Sequence, residues 1–328
     1  MTKWLQTKIA LLCAVCMLCT LTCGYASVDR DMTPAGDGER EKLAVYVDGA
    51  LECTGYDIGG IVYVPLRSFF GGLDMGAVVT WNGESATMTV SFQEAIVTET
   101  VVDMEMRVTP APTETPNPDA PALETIVVQQ TVTETAFKSH TLWAQVGQLY
   151  LYVNDRVVYL GADVLADRGN LLVPMDGLCN AFGITVDRNG EAVYLSTEDL
   201  QVCARGSEVY DEEDLYWLSR IINAEAGNQS MTGQICVGNV VLNRVDSVKF
   251  PDSVKEVVFS PNQFCPVRSG TIYCTPDEDA VTAAKLCLEG VRLAGESTYF
   301  VNPTTGSTAW FRANLTFYGS VGEHDFYY

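Results

Sequence analysis

The stretch DEEDLYWLSRIINAEAG, residues 211–227, decides the fold of the C-terminal third of the chain. Four acidic residues lie in or near its first turn, where they complement the positive end of a helix dipole, and apolar residues follow at helical spacing. A glycine closes the stretch, and glycine commonly follows the last turn of a helix. The sequence therefore predicts an amphipathic helix that stops at Gly227.

Two further helices are predicted downstream. Ser230 is a candidate N-cap for a helix whose apolar residues run as far as Arg244, and residues 277–288 show a third apolar pattern of helical period. The tail, residues 299–328, is aromatic, punctuated by glycine and strand-like. Residues 208–328 are therefore expected to form a mainly helical domain with a short β region.

Glu225 departs from the helical pattern because it places an acid in the last turn of the first helix. The partial negative charge of a helix C-terminus disfavours a carboxylate, and the flanking alanines add desolvation, so both effects raise the pKa of this side chain. A carboxyl group that stays protonated near neutral pH is suited to protonate a glycosidic oxygen. An ordinary exposed glutamate near a helix end is the alternative on composition alone.

A series of short motifs runs in order through the same region. They are IINAEA (221–226), GQICVGNVVLNRV (233–245), Phe250-Pro251, Gln263-Phe264, Asn302-Pro303, residues 307–311 and GEHDF (322–326). Together they resemble the SleB-type spore cortex-lytic and cell wall hydrolase family. The resemblance implies a lysozyme-like or transglycosylase-like domain that cuts peptidoglycan between N-acetylmuramic acid and N-acetylglucosamine, with Glu225 as the catalytic acid. Glu323 stands where the family pattern has Asn, and Asp325 follows the histidine, so substrate preference need not carry over.

The resemblance also implies a mechanism with a single acid. Glu225 protonates the leaving oxygen and then, as a carboxylate, takes the proton of the sugar's own 6-hydroxyl while an anhydro ring closes. A hydrolytic glycosidase needs a second carboxylate at a defined separation. The available candidates, none of which the sequence places opposite Glu225, are Asp246, Glu256, Asp277, Glu296 and Glu323. A two-carboxylate muramidase therefore stays open as the alternative.

The residues expected to bind substrate are polar or aromatic residues of these motifs and of the tail. They are Asn243, Gln263, Phe264, Tyr299, Asn302, Trp310 and His324. Each has a structural alternative. Phe264 and Trp310 are equally expected in a core, Asn243 can tie a helix end to a loop, and His324 can be a structural histidine.

Charge and composition exclude several other classes of function. The chain has 20 Lys and Arg against 42 Asp and Glu, a formal charge of −22, which argues against nucleic acid as a partner. Peptidoglycan must then be recognised by aromatic faces and hydrogen bonds. A zinc amidase is disfavoured because His140 and His324 are the only histidines, and a cysteine peptidase has only Cys265 to pair with His324. A non-catalytic wall-binding protein remains open, and neither a metal nor a cofactor is expected.

The N-terminus is typical of an exported protein. Lys3 and Lys8 precede an apolar run, residues 9–21, and a small-residue site that ends at Ala26, which predicts a signal peptide over residues 1–26. The protein is therefore expected outside the cell, in the wall or on the spore. Membrane association follows only if the segment stays uncleaved, and a lipidated Cys23 fits less well.

Seven cysteines lie beyond this segment, an odd number. Cys265 and Cys274 are the best local candidates for a disulfide because both fall in one loop-like segment. Cys236 and Cys287 lie in apolar helical patterns, where a cysteine is commonly a small buried hydrophobe.

An internal repeat occupies residues 41–93 and 142–200. Each copy predicts two strands, a short helix after a Val-Pro pair and a hairpin with an Asn-Gly turn. The units resemble the copper amine oxidase N-terminal-like repeat, without histidines for copper, and a structural or wall-targeting role is expected. Residues 94–141 between them are rich in Thr, Glu, Val and Pro and predict a linker, although pairing of their Val-rich flanks as strands with the neighbouring repeats stays open. The expected class is α+β, with β-β-α-β-β repeats before the catalytic domain.

Overall fold

The computed structural model describes most of the chain beyond its N-terminus, namely residues 40–73, 75–108, 124–167, 169–190, 192–306 and 308–328. The predicted signal peptide, the Pro-rich centre of the predicted linker and position 307 of the family motifs lie outside these ranges. No helix within them is long and apolar enough to cross a membrane. The described residues belong to one compact unit in which α-helices and β-strands are combined.

The first half of the chain is built from strands and two short helices. Its elements are β1 (Glu41–Val47), β2 (Ala50–Ile58), β3 (Ile61–Pro65), α1 (Leu66–Gly72), β4 (Val78–Asn82), β5 (Thr87–Val108), β6 (Glu124–Gln145), β7 (Tyr150–Val153), β8 (Arg156–Tyr159), β9 (Leu165–Asp167), β10 (Asn170–Pro174), α2 (Met175–Ala181), β11 (Thr185–Asn189) and β12 (Ala192–Ser196). Both helices begin directly after the proline of a Val-Pro pair, Pro65 or Pro174. Proline suits this position because its fixed φ turns the chain out of the strand.

The two repeats exchange strands rather than fold side by side. One sheet has the order β11-β12-β1-β2-β3-β10-β9 and the other the order β4-β5-β6-β7-β8, so each contains strands of both repeats. β1 pairs in parallel with β12, from Ala44 opposite Ala192 to Val47 opposite Leu195. Phe70 of the first repeat packs against Phe182 of the second at 5.3 Å between ring centroids. The two repeats therefore share one core.

The segment predicted as a linker forms strands wherever the structure describes it. β5 and β6 pair along their full length, from Thr87 opposite Gln145 to Val108 opposite Glu124. Their Thr- and Val-rich sequences have high β propensity, and each strand satisfies the other's backbone groups. In residues 94–108 and 124–141, a two-stranded ribbon therefore replaces the predicted linker, and the flanks pair with each other rather than with the neighbouring repeats.

The second half begins with helices and ends in a small sheet. Its elements are α3 (Gly206–Val209), α4 (Glu212–Ala226), α5 (Met231–Val245), α6 (Val254–Phe259), α7 (Cys265–Ser269), a 3₁₀ turn (Thr271–Tyr273), α8 (Glu278–Leu288), β13 (Tyr299–Val301), α9 (Ala309–Asn314), β14 (Phe317–Val321) and β15 (His324–Tyr327). The sheet has the order β13-β15-β14. The three long helices are those that the sequence predicts, and Asp211, Ser230 and Asp277 cap them through their side chains.

Helices α4, α5 and α8 pack closely around a glycine. A Cβ atom added at Gly238 of α5 would lie 2.7 Å from the Cys287 sulfur and 2.8 Å from Cδ1 of Ile222. Cys236 and Cys287 are buried, as expected of small hydrophobes. Cys265 and Cys274 are exposed and free, so the predicted disulfide is absent from this structure. The absence of a side chain at Gly238 lets the three helices approach one another.

The β-rich half and the helical half share a buried contact surface. Arg156 of β8 donates two hydrogen bonds of 2.8 Å to Glu289, and the Tyr152 hydroxyl lies 2.6 Å from the Thr282 hydroxyl. Val157 is buried in the same apolar cluster as the helical core. The helical domain is therefore built against the strands, and removing residues before 208 would expose part of its core.

Candidate active site

Glu225 lies in the last turn of α4, as predicted. The helix ends at Ala226, and the backbone N–H of Gly227 donates to the Asn223 carbonyl at 3.1 Å. The Glu225 side chain is half-buried, and burial raises its pKa above the ordinary value, while the positive charge of Arg244 partly offsets this rise. The helix end acts in the same direction as burial. The structure therefore favours the protonated acid more than water does.

Arg244, in the last turn of α5, is the charged neighbour of Glu225. Its side chain is 5% exposed, and Nε donates to the Thr298 carbonyl at 2.7 Å. Its guanidinium carbon lies 5.1 Å from the ring centroid of Phe264 and 5.4 Å from that of Tyr299. Burial lowers the pKa of Arg244 to about 10, although Tyr299 and Glu225 act in the opposite direction.

Arg244 lies in the motif at residues 233–245, but the sequence does not predict it as a site residue. The sequence signal for Arg244 is an arginine inside an otherwise apolar stretch. An arginine at the end of a helix is as often there to interact with the helix dipole as to act in a functional site. Its role in the site becomes visible only when α4 and α5 are packed together.

The aromatic residues of the site fall into a buried and an exposed group. Phe264 is buried beneath Arg244, 6.5 Å from Phe300 between ring centroids. Tyr299 is half-buried, and Trp310 is 54% exposed at 6.1 Å from Tyr299. Tyr299 and Trp310 thus offer faces to a ligand, whereas Phe264 supports the arginine from inside.

The polar candidates differ in how far their side chains are already engaged. Asn243 donates to the carbonyls of Gly295 and Ser297 at 2.9 and 2.8 Å, so it ties the end of α5 to the following loop. The Asn302 side chain accepts from the backbone N–H of Thr304 at 2.9 Å, which orders its turn. Gln263 is exposed. Of these three, Gln263 is the one whose side chain is open to solvent.

His324 begins β15 and is buried against Phe300. The two rings meet edge to face, 5.2 Å apart between centroids, and the Nδ1 atom has no hydrogen-bond partner among the described residues. Burial lowers the His324 pKa, and the neighbouring Glu323 partly opposes this effect. The imidazole is therefore neutral at neutral pH and can offer one donor and one acceptor.

The carboxylates proposed as a second catalytic group are engaged elsewhere or exposed. Asp246 lies 3.9 Å from the Arg292 guanidinium, and Asp277 caps α8 by accepting from Ala280 at 2.7 Å. Glu323 accepts from Asn302 at 3.4 Å. The remaining two candidates, both exposed, are Glu256 and Glu296. Among the described residues, the charge that acts on Glu225 is that of Arg244 and not that of a carboxylate.

The tail acid that departs from the family pattern has its own partner. Asp325 is buried and accepts from the Ser320 hydroxyl at 2.6 Å, across the β14–β15 hairpin. In the described parts of the chain, no group of three His, Cys, Asp or Glu side chains is arranged to hold a metal ion.

Comparison with known proteins indicates the family to which the C-terminal part of the chain is similar. Residues 228–327 match the family described as Cell Wall Hydrolase, a range that begins three positions after Glu225. The domain is therefore a cell wall hydrolase domain, which confirms the expectation of a peptidoglycan-acting enzyme domain. The spore cortex-lytic enzymes of Halalkalibacterium halodurans and Bacillus cereus are similar to it, at 39% and 35% identity over 101 residues.

The likeness covers only parts of these proteins. The 101 residues are 31% of this chain and 31% and 39% of the two relatives, so the chain spans about a third of their length. Among solved structures, the catalytic domain of the germination-specific lytic transglycosylase SleB from Bacillus anthracis is 31% identical, with a TM-score of 0.35. That match covers 38% of this chain and all of the solved one. The similarity to these relatives therefore concerns the C-terminal third of the chain. The copper amine oxidase-like repeats stay a prediction.

Proposed function

We propose that this protein cleaves peptidoglycan glycan strands between N-acetylmuramic acid and N-acetylglucosamine, with Glu225 as its single catalytic acid. The observation that carries the proposal is the half-buried carboxyl group at the end of α4, whose pKa burial raises. A general acid must hold its proton at the working pH and release it to the leaving oxygen, and a raised pKa meets the first requirement.

The reaction uses Glu225 twice. The carboxyl proton passes to the glycosidic oxygen, the bond between that oxygen and C1 of the muramic sugar breaks, and the electron pair leaves with the oxygen. The Glu225 carboxylate then takes the proton of the 6-hydroxyl of the same sugar while that oxygen bonds to C1. The products are an anhydro-muramic end and a free N-acetylglucosamine end, and Glu225 is protonated again.

The surroundings of Glu225 support one acid over two. A partner carboxylate in a retaining glycosidase lies about 5–5.5 Å away, and in an inverting one about 6.5–9.5 Å away, close enough to influence the pKa of the acid. The charge that acts on Glu225 comes instead from Arg244. This electrostatic setting supports a reaction in which Glu225 acts without a second carboxylate.

Substrate recognition is proposed to rest on the exposed aromatic faces of Tyr299 and Trp310, with Gln263 as a hydrogen-bonding group. With a formal charge of −22, the chain does not attract an anionic glycan by net charge, so local stacking and hydrogen bonds must supply the binding energy. The exposed face of Trp310 suits the apolar face of a sugar ring.

The names of the relatives suggest the biological setting. Both are spore cortex-lytic enzymes, and we propose that this chain is exported and acts on spore cortex during germination or on the cell wall. The N-terminal repeats are proposed as a wall-targeting and structural module, since they pack against the catalytic domain through Arg156 and Glu289.

The decisive experiment is mass spectrometry of the fragments that the exported chain releases from purified peptidoglycan. Glu225→Gln is the test variant, and Glu212→Gln, at an exposed acid in the first turn of the same helix, is the matched control. Anhydro-muramic ends, one water lighter than reducing ends, are expected from the wild type and the control and not from Glu225→Gln. Reducing ends that vanish in Glu225→Gln would mean a two-carboxylate muramidase, and binding without fragments from any of the proteins would mean a wall-binding protein.

A further inference from the structure

Arg244 has a hydrogen-bond donor that the folded protein leaves unused. The side chain is 5% exposed, and Nη1 is buried with no partner among the described residues. A buried donor on a charged group that has no hydrogen-bond partner destabilises the folded state, so native proteins rarely retain one without a reason. The cation is also held in place, because Nε donates to the Thr298 carbonyl at 2.7 Å.

The groups around Arg244 indicate which of them can accept a hydrogen bond from its Nη1 atom. Phe250 and Phe264 present uncharged rings, each 5.1 Å from the guanidinium carbon. Tyr299 of β13 and Glu225 of α4 are the two titratable neighbours whose charges act on it. Of these two, Glu225 is the one that gives up a proton in the proposed reaction.

We propose that Arg244 is a positioning residue whose Nη1 donates a hydrogen bond to the Glu225 carboxylate in the interval between its two proton transfers. The inference rests on the proposed function, in which Glu225 gives up a proton before it recovers one from the 6-hydroxyl. Arg244 keeps its own protons throughout and forms no bond beyond this hydrogen bond. Its contribution is largest when Glu225 is charged, so it stabilises the intermediate more than the resting acid.

The kinetic test compares Arg244→Gln and Arg244→Lys with the full-length wild type. Arg268→Gln, which changes an exposed arginine of α7, is the matched control. Arg244→Gln is expected to lower kcat by about 100- to 1,000-fold with little change in KM, the usual effect of removing one donor to a developing anion. Because cleavage needs protonated Glu225, the alkaline limb of the pH profile should move to higher pH when the neighbouring cation is lost.

Arg244→Lys keeps the positive charge but removes the planar guanidinium. It therefore separates the effect of the charge on the Glu225 pKa from the effect of the hydrogen bond. The alkaline limb should stay near that of the wild type, while kcat stays low because lysine lacks the fixed planar donor. A raised KM with unchanged kcat, or an unmoved alkaline limb in Arg244→Gln, would overturn the proposal. If Arg244→Gln does not fold, as judged by thermal unfolding, Arg244→Lys carries the test, and wild-type kcat in that variant would overturn it.

A direct titration distinguishes this inference from the proposed function. The Glu225 carboxyl resonance, assigned in ¹³C-labelled protein by its loss in Glu225→Gln, reports the pKa without any turnover. An upward shift in Arg244→Gln in a chain that releases no glycan fragments would retain the coupling between the two residues and remove the proposed reaction. No shift would overturn the coupling even in an active enzyme.

Discussion

Replacing Glu225 by glutamine is expected to stabilise the folded chain at neutral pH, in a manner that depends on pH. Burial raises the folded-state pKa above the ordinary value of 4.5, so the folded chain binds this proton more tightly than the unfolded chain. Below the ordinary value both states hold a neutral acid, and no pH-dependent difference is present. As the pH rises toward the folded-state pKa, the wild type loses about 1.4 kcal/mol for each pH unit, and above it the loss is constant.

Urea unfolding of the wild type and Glu225→Gln, followed by circular dichroism from acid to mildly alkaline pH, measures this difference. The two midpoints should converge at low pH and separate as the pH rises, with the variant the more stable. Glu256→Gln, at an exposed position, is the matched control for the effect of the substitution itself. A constant difference across the series, or a wild type that gains stability relative to the variant with rising pH, would refute the assignment of a raised Glu225 pKa.

Three further outcomes follow from the packing. Gly238→Ala should lower stability by about 1–3 kcal/mol, measured by urea unfolding, because the added carbon lies 2.7 Å from the Cys287 sulfur; an unchanged midpoint would contradict the close packing. Arg156→Met should cost about 1–3 kcal/mol, since it leaves half-buried Glu289 without its ion-pair partner, and restored stability in a double variant with Glu289→Gln would identify the pair as the cause. Trp310→Ala should raise KM for glycan fragments and leave the thermal midpoint unchanged, because the side chain is 54% exposed; a lowered midpoint would indicate a core role.

The helices of the catalytic domain could be predicted from sequence because their signals are local. Ser230, the N-cap that the sequence predicts, caps α5, and the acids Asp211 and Asp277, which the sequence places at the starts of the other two helices, also act as N-caps. The position of Glu225 in a last turn follows from the same logic, since Gly227 marks the end of the helix.

Strand partners could not be predicted in this way. The hairpin β4–β5 and the hairpin β11–β12 occupy equivalent places in two similar repeats, so each has the same alternation and turn signals and fits either repeat. The structure places β12 beside β1 of the other repeat. The long pairing of β5 with β6 was also undetermined, because a Thr- and Pro-rich segment predicts a linker by composition, whereas pairing depends on residues distant in sequence.

The pKa of Glu225 depends on one feature that is visible in the sequence and on two that arise only from tertiary packing. The helix end is visible in the sequence and raises the pKa, burial comes from the surrounding tertiary structure and raises it further, and Arg244 opposes both from a neighbouring helix. Burial is the largest of the influences on the side chain, so the acid keeps its proton more readily than an exposed glutamate. In the proposed reaction, a carboxyl group whose pKa is raised by burial with no cation beside it would release its proton less readily in the first half, because its carboxylate is costly to form. The buried arginine is therefore proposed to ease that first proton transfer, while burial keeps the Glu225 carboxylate basic enough to recover a proton in the second half.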